Sequence, residues 1–174
     1  VDVRGTAKAS SESEALSLSR PIVEEVKTRL GESIYGVDEE TLESVICQKL
    51  NRNNISLCMV ETGMDPTLAE RLRLGQPDQL QIKYLTETPK SESELLDELI
   101  KFKKENSCDV MFGITLIMNE NVHVIFAYQD LERTKTKIRK YGGPREYALL
   151  WAQNTGLDFL RRQLNQNTGM TQEE

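Results

Sequence analysis

Residues 55–66 read Ile55-Ser-Leu-Cys-Met-Val60-Glu61-Thr62-Gly63-Met64-Asp65-Pro66, and they decide the fold class. Ile55 to Val60 is nearly all apolar, the mark of a strand covered on both faces. Asp65-Pro66 reads as the N-cap and first position of a short helix reaching about Arg73. Leu80 to Leu85 is a second strand candidate. Ser91 and Glu94 form a capping box, and the helix they open carries Leu95, Leu96, Leu99 and Phe102 on its core face. Asp109 to Met118 and Val122 to Tyr128 read as a hairpin across Asn119-Glu120-Asn121. Glu132 to Tyr141 is a further strand, with Lys135, Lys137 and Arg139 on one side and Thr134, Thr136 and Ile138 on the other. Alternation makes the Ile138 side the packed one. Pro144 opens a last helix whose core stripe is Tyr147, Leu150, Trp151, Leu157, Leu160 and Leu164. Helices interleaved with strands, then a meander and a helix, predict an α/β protein: a three-layer α/β/α sandwich on a mixed sheet.

Upstream, Val1 to Ala9 alternates small apolar with polar residues, a period-2 strand signal. A lone strand needs ladder partners, from its own sheet, a second chain or an upstream segment. Ser11 and Glu14 form a capping-box pair for a helix to Leu30, with Ile22, Val23, Val26 and Leu30 on one face. Pro21 should kink or restart it, and Gly31 suits a left-handed stop. Asp38, followed by Glu39 and Glu40, reads as the N-cap of the next helix, whose apolar face is Leu42, Val45, Ile46 and Leu50. The chain opens on Val1 and reads as a piece of a longer protein. Three parts follow: 1–36 as the end of a preceding domain, 37–164 as the α/β domain, and 165–174 as a polar tail.

Composition narrows the function classes. The 174 residues carry 22 basic against 28 acidic side chains, a net charge of −6, which disfavours nucleic acid as a partner. The longest uncharged apolar run, Val110 to Met118, is nine residues, and about 20 are needed to cross a bilayer. No secretory leader is visible, so a cytoplasmic location is expected. Cys47, Cys58 and Cys108 are widely spaced and odd in number, which fits buried thiols of a reducing compartment. One histidine, His123, and no CxxC argue against a zinc site.

Two stretches resemble the CinA (competence/damage-inducible protein A) family. Residues 4–50, RGTAKASSESEALSL…PIVEEVKTRLGESIYGVDEETLESVICQKL, are similar to the passage joining that family's middle and C-terminal domains. Residues 141–164, YGGPREYALLWAQNTGLDFLRRQL, resemble its closing helix with the preceding Gly-Gly turn. The resemblance implies an α/β/α C-terminal domain that often deamidates nicotinamide mononucleotide, releasing ammonia without a redox cofactor. The family's loop A-E-S-C-T-G-G, with serine as presumed nucleophile, corresponds here to Val60-Glu61-Thr62-Gly63-Met64-Asp65-Pro66. Glu61 matches, Thr62 replaces the serine, and the closing Gly-Gly is gone. The family's Tyr and Lys have no clear match in Lys83 or Tyr84. Of its T-G-x-x-G-P strand end, only Gly113 survives. Arg145 stands near the turn where the family also carries an arginine.

The resemblance therefore makes Thr62 the candidate catalytic residue, with Glu61, Gly63, Gly113 and Arg145 as candidate ligand-binding residues. The residues argue against a working site. Thr62 needs a base within hydrogen-bond reach, and Glu61, its strand neighbour, points to the opposite face. Asp65 as N-cap would occupy the helix N–H groups and repel an anion, and Pro66 removes another donor. The basic run Arg133, Lys135, Lys137, Arg139, Lys140 reads as a solvated edge strand before an anion stripe. The expectation is a degenerate, non-catalytic CinA C-terminal-like domain acting in binding or homo-oligomerisation. Nicotinamide mononucleotide or another nucleotide is the ligand class, and an amidohydrolase using Thr62 is the alternative.

Overall fold

A computed structural model describes residues 3–65 and 67–167. Residues group into two compact units, Val1–Asp38 and Glu39–Glu174. In the first, α1 spans Glu12–Leu30 and is capped by Ser11, whose side chain accepts from the Glu14 N–H. Glu14 reaches back to the Ser10 N–H rather than to Ser11, so the reciprocal bond lands one residue early. Pro21 lies inside α1 without ending it. The helix stops at Gly31, whose φ of 47° is the left-handed conformation expected there. No residue of α1 is buried. Residues 3–9 form no strand, because their alternating pattern finds no ladder in this chain; Val1 and Asp2 lie outside the described residues.

The second unit is built on five strands: β1 (Leu57–Thr62), β2 (Leu80–Tyr84), β3 (Val110–Ile117), β4 (His123–Gln129) and β5 (Thr134–Lys140). Their order is β2-β1-β3-β4-β5. β1 lies parallel to both β2 and β3, and β4 and β5 continue antiparallel. The sheet is mixed, as expected. Alternate residues of each strand feed two cores. Leu57, Met59, Phe112, Ile114, Phe126 and Tyr128 face the side covered by α2 (Leu42–Arg52), α3 (Thr67–Leu74) and α5 (Ala148–Asn167). Cys58, Val60, Met111, Ile125 and Ala127 face α4 (Glu92–Glu105) through Leu95, Leu99 and Phe102. The three-layer α/β sandwich is thus the observed architecture.

Several local expectations shift. The N-cap of α2 is Thr41, in a capping box with Ser44. Asp38 sits instead in a turn with φ 56°. β1 begins two residues later than expected and takes in Glu61 and Thr62, both buried. On the last helix Tyr147 and Leu150 are exposed, while Ala148, Ala152, Leu157, Leu160 and Leu164 carry the core stripe. The reason is that Arg145–Tyr147 forms a separate helical turn before α5 starts. α5 then runs to Asn167, into the stretch expected to be a tail. β5 is exposed along its whole length, and Ile138 is 46% exposed. An edge strand whose residues all stay exposed has no packed face, so Ile138 is not a core residue.

Candidate functional site

The sheet order fixes where a ligand would enter. The crossover from β1 through α3 to β2 and the crossover from β2 through α4 to β3 leave on opposite faces. The point where they part, at the carboxyl ends of β1 and β3, is the usual ligand crevice of an open α/β sheet. Thr62 ends β1 there, opposite Thr115 of β3.

The β1–α3 turn lies against β3 at this point. Gly63 has φ 73°, and a Cβ built on it would stand 2.1 Å from the Leu116 carbonyl oxygen. Only a residue without a side chain permits this approach. Met64 follows and is buried in the core beneath α3. Backbone and side chain thus occupy the space that a ligand would share with the strand ends.

Glu61 is the second determinant. Its side chain points toward α3, and its carboxylate accepts hydrogen bonds from the Leu68 N–H at 3.2 Å and the Ala69 N–H at 3.0 Å. It is 2% exposed. Burial pushes its pKa up, and the two backbone hydrogen bonds pull against that shift. The carboxylate filling this helix start is therefore Glu61, not Asp65. Asp65 sits in the turn with φ 39°, a geometry unlike the extended backbone of an N-cap, and its carbonyl accepts from the Thr67 N–H. The anion position at a helix N-terminus is filled by the protein's own negative charge. Pro66 lies outside the described residues.

Thr62 faces the other side of the sheet, as alternation requires. It is nearly buried, and its hydroxyl stands 3.5 Å from the Leu85 carbonyl, the outer limit of a hydrogen bond. Lys83 is engaged elsewhere: its ammonium is 3.9 Å from Glu98 and lies over the Phe102 ring. Tyr84 pairs in register with Glu61 rather than facing Thr62's side. Burial raises the Tyr84 phenol, the nearby Glu61 and Glu70 add to that, and Arg73 opposes it.

Gly113 and Arg145 have structural partners. Gly113 is buried under α4, where an added Cβ would lie 3.0 Å from Leu99 Cδ1 and 3.1 Å from Leu95 Cδ1. Its missing side chain lets the helix sit close to the sheet. Arg145 donates to the carbonyls of Met118 and Asn119, which holds the β3–β4 turn against the start of the last helix. His123 contacts the Asn121 carbonyl at 2.7 Å and so has a turn-forming role. Of the five candidate residues, Glu61, Thr62 and Gly63 meet at one turn. Gly113 lies deeper on β3, and Arg145 holds the hairpin.

Two features were not evident from the sequence. Thr115 is fully buried, and its hydroxyl finds no hydrogen-bond partner among the described residues. A cleft of about 380 Å³ at the end of β2 is lined by Lys83, Tyr84, Thr86, Glu87, Asp97 and Lys101, among others. Both arise where residues distant in sequence converge, so no local pattern announces them. Among the described residues no cluster of histidine, cysteine or carboxylate side chains suits a metal ion. No described helix is long and apolar enough to cross a membrane.

Comparison with known proteins agrees with this architecture. No family model matches the chain. A putative competence-damage inducible protein of Clostridium tetani is 44% identical over 72 residues, covering 41% of this chain and 18% of that protein. A protein of the same description from Clostridium beijerinckii is 26% identical over 192 aligned positions, covering 93% of this chain and 47% of the relative. The chain thus spans about half the length of this curated relative. Among solved structures, a competence-damaged protein (CinA) superfamily member from Escherichia coli superposes with a TM-score of 0.60 at 18% identity. That match covers 76% of this chain and 98% of the other, and at this identity it speaks for the fold. The chain is a divergent relative of the competence/damage-inducible (CinA) family.

Proposed function

We propose that this chain is a non-catalytic CinA-like domain that acts by self-association. The observation that carries the reading is the β1–α3 turn. Gly63 lies against Leu116, and Glu61 occupies the first-turn donors of α3. An amide-hydrolysing site needs an activated hydroxyl and room for the substrate. Thr62 has neither: its hydroxyl is near a carbonyl, and the one nearby lysine on β2 is paired to Glu98. A threonine without a base keeps its ordinary, unreactive hydroxyl.

Self-association is supported by α1. Leu16, Val23 and Leu30 recur every seven residues, flanked by Ile22, and all four are exposed. That spacing makes one apolar seam along a helix. A matching seam on a second copy would cover it, and each large aliphatic side chain removed from water contributes roughly 1.5–3 kcal/mol.

Two measurements test the reading. Incubated with nicotinamide mononucleotide, the chain releases no more ammonia than buffer does; turnover abolished by Thr62→Ala would overturn the non-catalytic assignment. In sedimentation equilibrium the wild-type chain is oligomeric, and Leu16→Glu with Val23→Glu makes it monomeric. A wild type that stays monomeric at high concentration would remove the self-association half.

A further inference from the structure

We propose that the outer edge of β5 receives an extended acidic segment of a partner protein as an added strand. β5 ends the sheet and pairs with β4 alone. In an antiparallel ladder, alternate residues aim their N–H and C=O groups away from the neighbouring strand. On β5 those groups face outward, and among the described residues they have no backbone partner. The edge is also regular. Its pairing runs one to one from Gln129↔Thr134 to His123↔Lys140, without a bulge. The Tyr141 N–H continues the ladder onto the Val122 carbonyl, and the Asp130 N–H onto the Arg133 carbonyl. Thr134–Lys140 contains no proline and no glycine. Sheets guard their edges with short strands, prolines, bulges or charge, and β5 uses charge alone.

Charge makes such an edge selective rather than closed. Lys135, Lys137 and Arg139 share one face, in register with Tyr128, Phe126 and Val124 of β4, and Lys140 lies on the other, in register with His123. All four are exposed, and among the described residues none has a carboxylate partner. Four positive charges thus stand on one exposed strand of a chain whose net charge is −6. Across paired strands, like charges destabilise and opposite charges stabilise. A second β5 laid antiparallel about Lys137 would set Lys137 against Lys137 and Lys135 against Arg139, so the edge rejects its own copy. A strand with carboxylates at alternate positions meets the reverse: each carboxylate falls beside a cation, while the main-chain bonds of strand addition supply affinity. Half-exposed Ile138, on the face opposite the three cations, offers the incoming strand an apolar contact. Nucleic acid would use the charge and not the backbone groups, and β5 has no aromatic side chain on which a base could stack.

The probe is a short blocked peptide alternating glutamate with valine and threonine, titrated with the whole chain and followed by fluorescence anisotropy. Binding is expected to saturate and to weaken with added salt, and the peptide should slow amide exchange at alternate residues of 134–140. Lys135→Glu with Lys137→Glu should weaken it about tenfold or more, because two attractive pairs become repulsive. Both positions are exposed, so the circular dichroism of that variant should match wild type. Two further peptides keep the charge and carry N-methyl groups at the odd or at the even positions. The one whose methyl groups face β5 should lose binding. Several results would overturn the proposal: no saturable binding, equal binding by both N-methylated peptides, or protection outside 134–140. A single-stranded oligonucleotide of equal charge that binds as tightly as the peptide would also overturn it, making β5 a surface for polyanions. The titration reads neither oligomeric state nor ammonia release, so its outcome is independent of the function proposed above.

Discussion

Alanine at position 63 would place a methyl carbon 2.1 Å from the Leu116 carbonyl oxygen and 3.2 Å from its carbonyl carbon. Both atoms are backbone of a central strand, so the clash cannot be relieved by turning a side chain. The φ of 73° adds a conformational cost of about 1–2 kcal/mol for any residue with a Cβ. Forcing a methyl group into packed space adds about 1–3 kcal/mol. The lower entropy of the unfolded alanine chain returns about 0.4–1 kcal/mol. The net expectation is a loss near 3 kcal/mol, within about 1–4.5 kcal/mol. That is a large share of the roughly 5–15 kcal/mol by which a domain is stable. Urea unfolding followed by Trp151 fluorescence measures it, with Gly142→Ala as control. Gly142 has open space around it, and its φ lies outside the left-handed range. If Gly63→Ala costs no more than the control, the turn is not wedged against β3. The crevice would then be open, and the argument against a ligand there would fail.

The remaining predictions concern charge, edge and anchor. Burial raises the native pKa of Glu61, so the folded chain holds that proton more tightly than the unfolded one. The associated stability is complete below the unfolded carboxyl pKa and is lost as pH rises through the raised native value. Wild type should therefore lose stability relative to Glu61→Gln across that window, and a pH-independent difference in urea midpoints would refute the assignment. Ile138→Ala should cost under about 1 kcal/mol, far from the roughly 2–5 kcal/mol of a buried isoleucine, because the side chain is 46% exposed. Lys135→Glu with Lys137→Glu should each stay within about 0.5 kcal/mol, and salt-sensitive oligonucleotide binding lost in that pair would revive an anion-binding role for the strand. Arg145→Ala should cost about 1 kcal/mol by freeing the Met118 and Asn119 carbonyls. The same variant should speed amide exchange in the 117–122 turn, and unchanged exchange there would show that the arginine does not anchor it.

What was legible in the sequence rests on short-range physics. Ser11 and Ser91 cap their helices as read, because a capping side chain and the N–H it accepts are three residues apart. Leu95, Leu99 and Phe102 were legible as a core face because helical spacing alone puts them on one side. The apolar run into Val60 announced a central strand, since only a strand covered on both faces lacks polar alternation. Asp38 and Thr41 show the limit of the same logic. Both are good caps followed by acidic or hydroxyl residues, and the choice fell to the one with a reciprocal Ser44.

Tertiary structure decided the rest. Ile138 alternates like a core residue, but whether an edge strand has a covered face depends on which helix reaches it. Glu61 read as a candidate ligand-binding residue. Its actual partners, Leu68 and Ala69, come into range only once α3 folds back over β1. Gly63 read as a ligand contact, whereas its closest neighbour is Leu116, 53 positions away. In each case the sequence supplied the residue's chemistry, while its partner was set by chain crossings of seven to 53 residues, whose geometry no local pattern encodes.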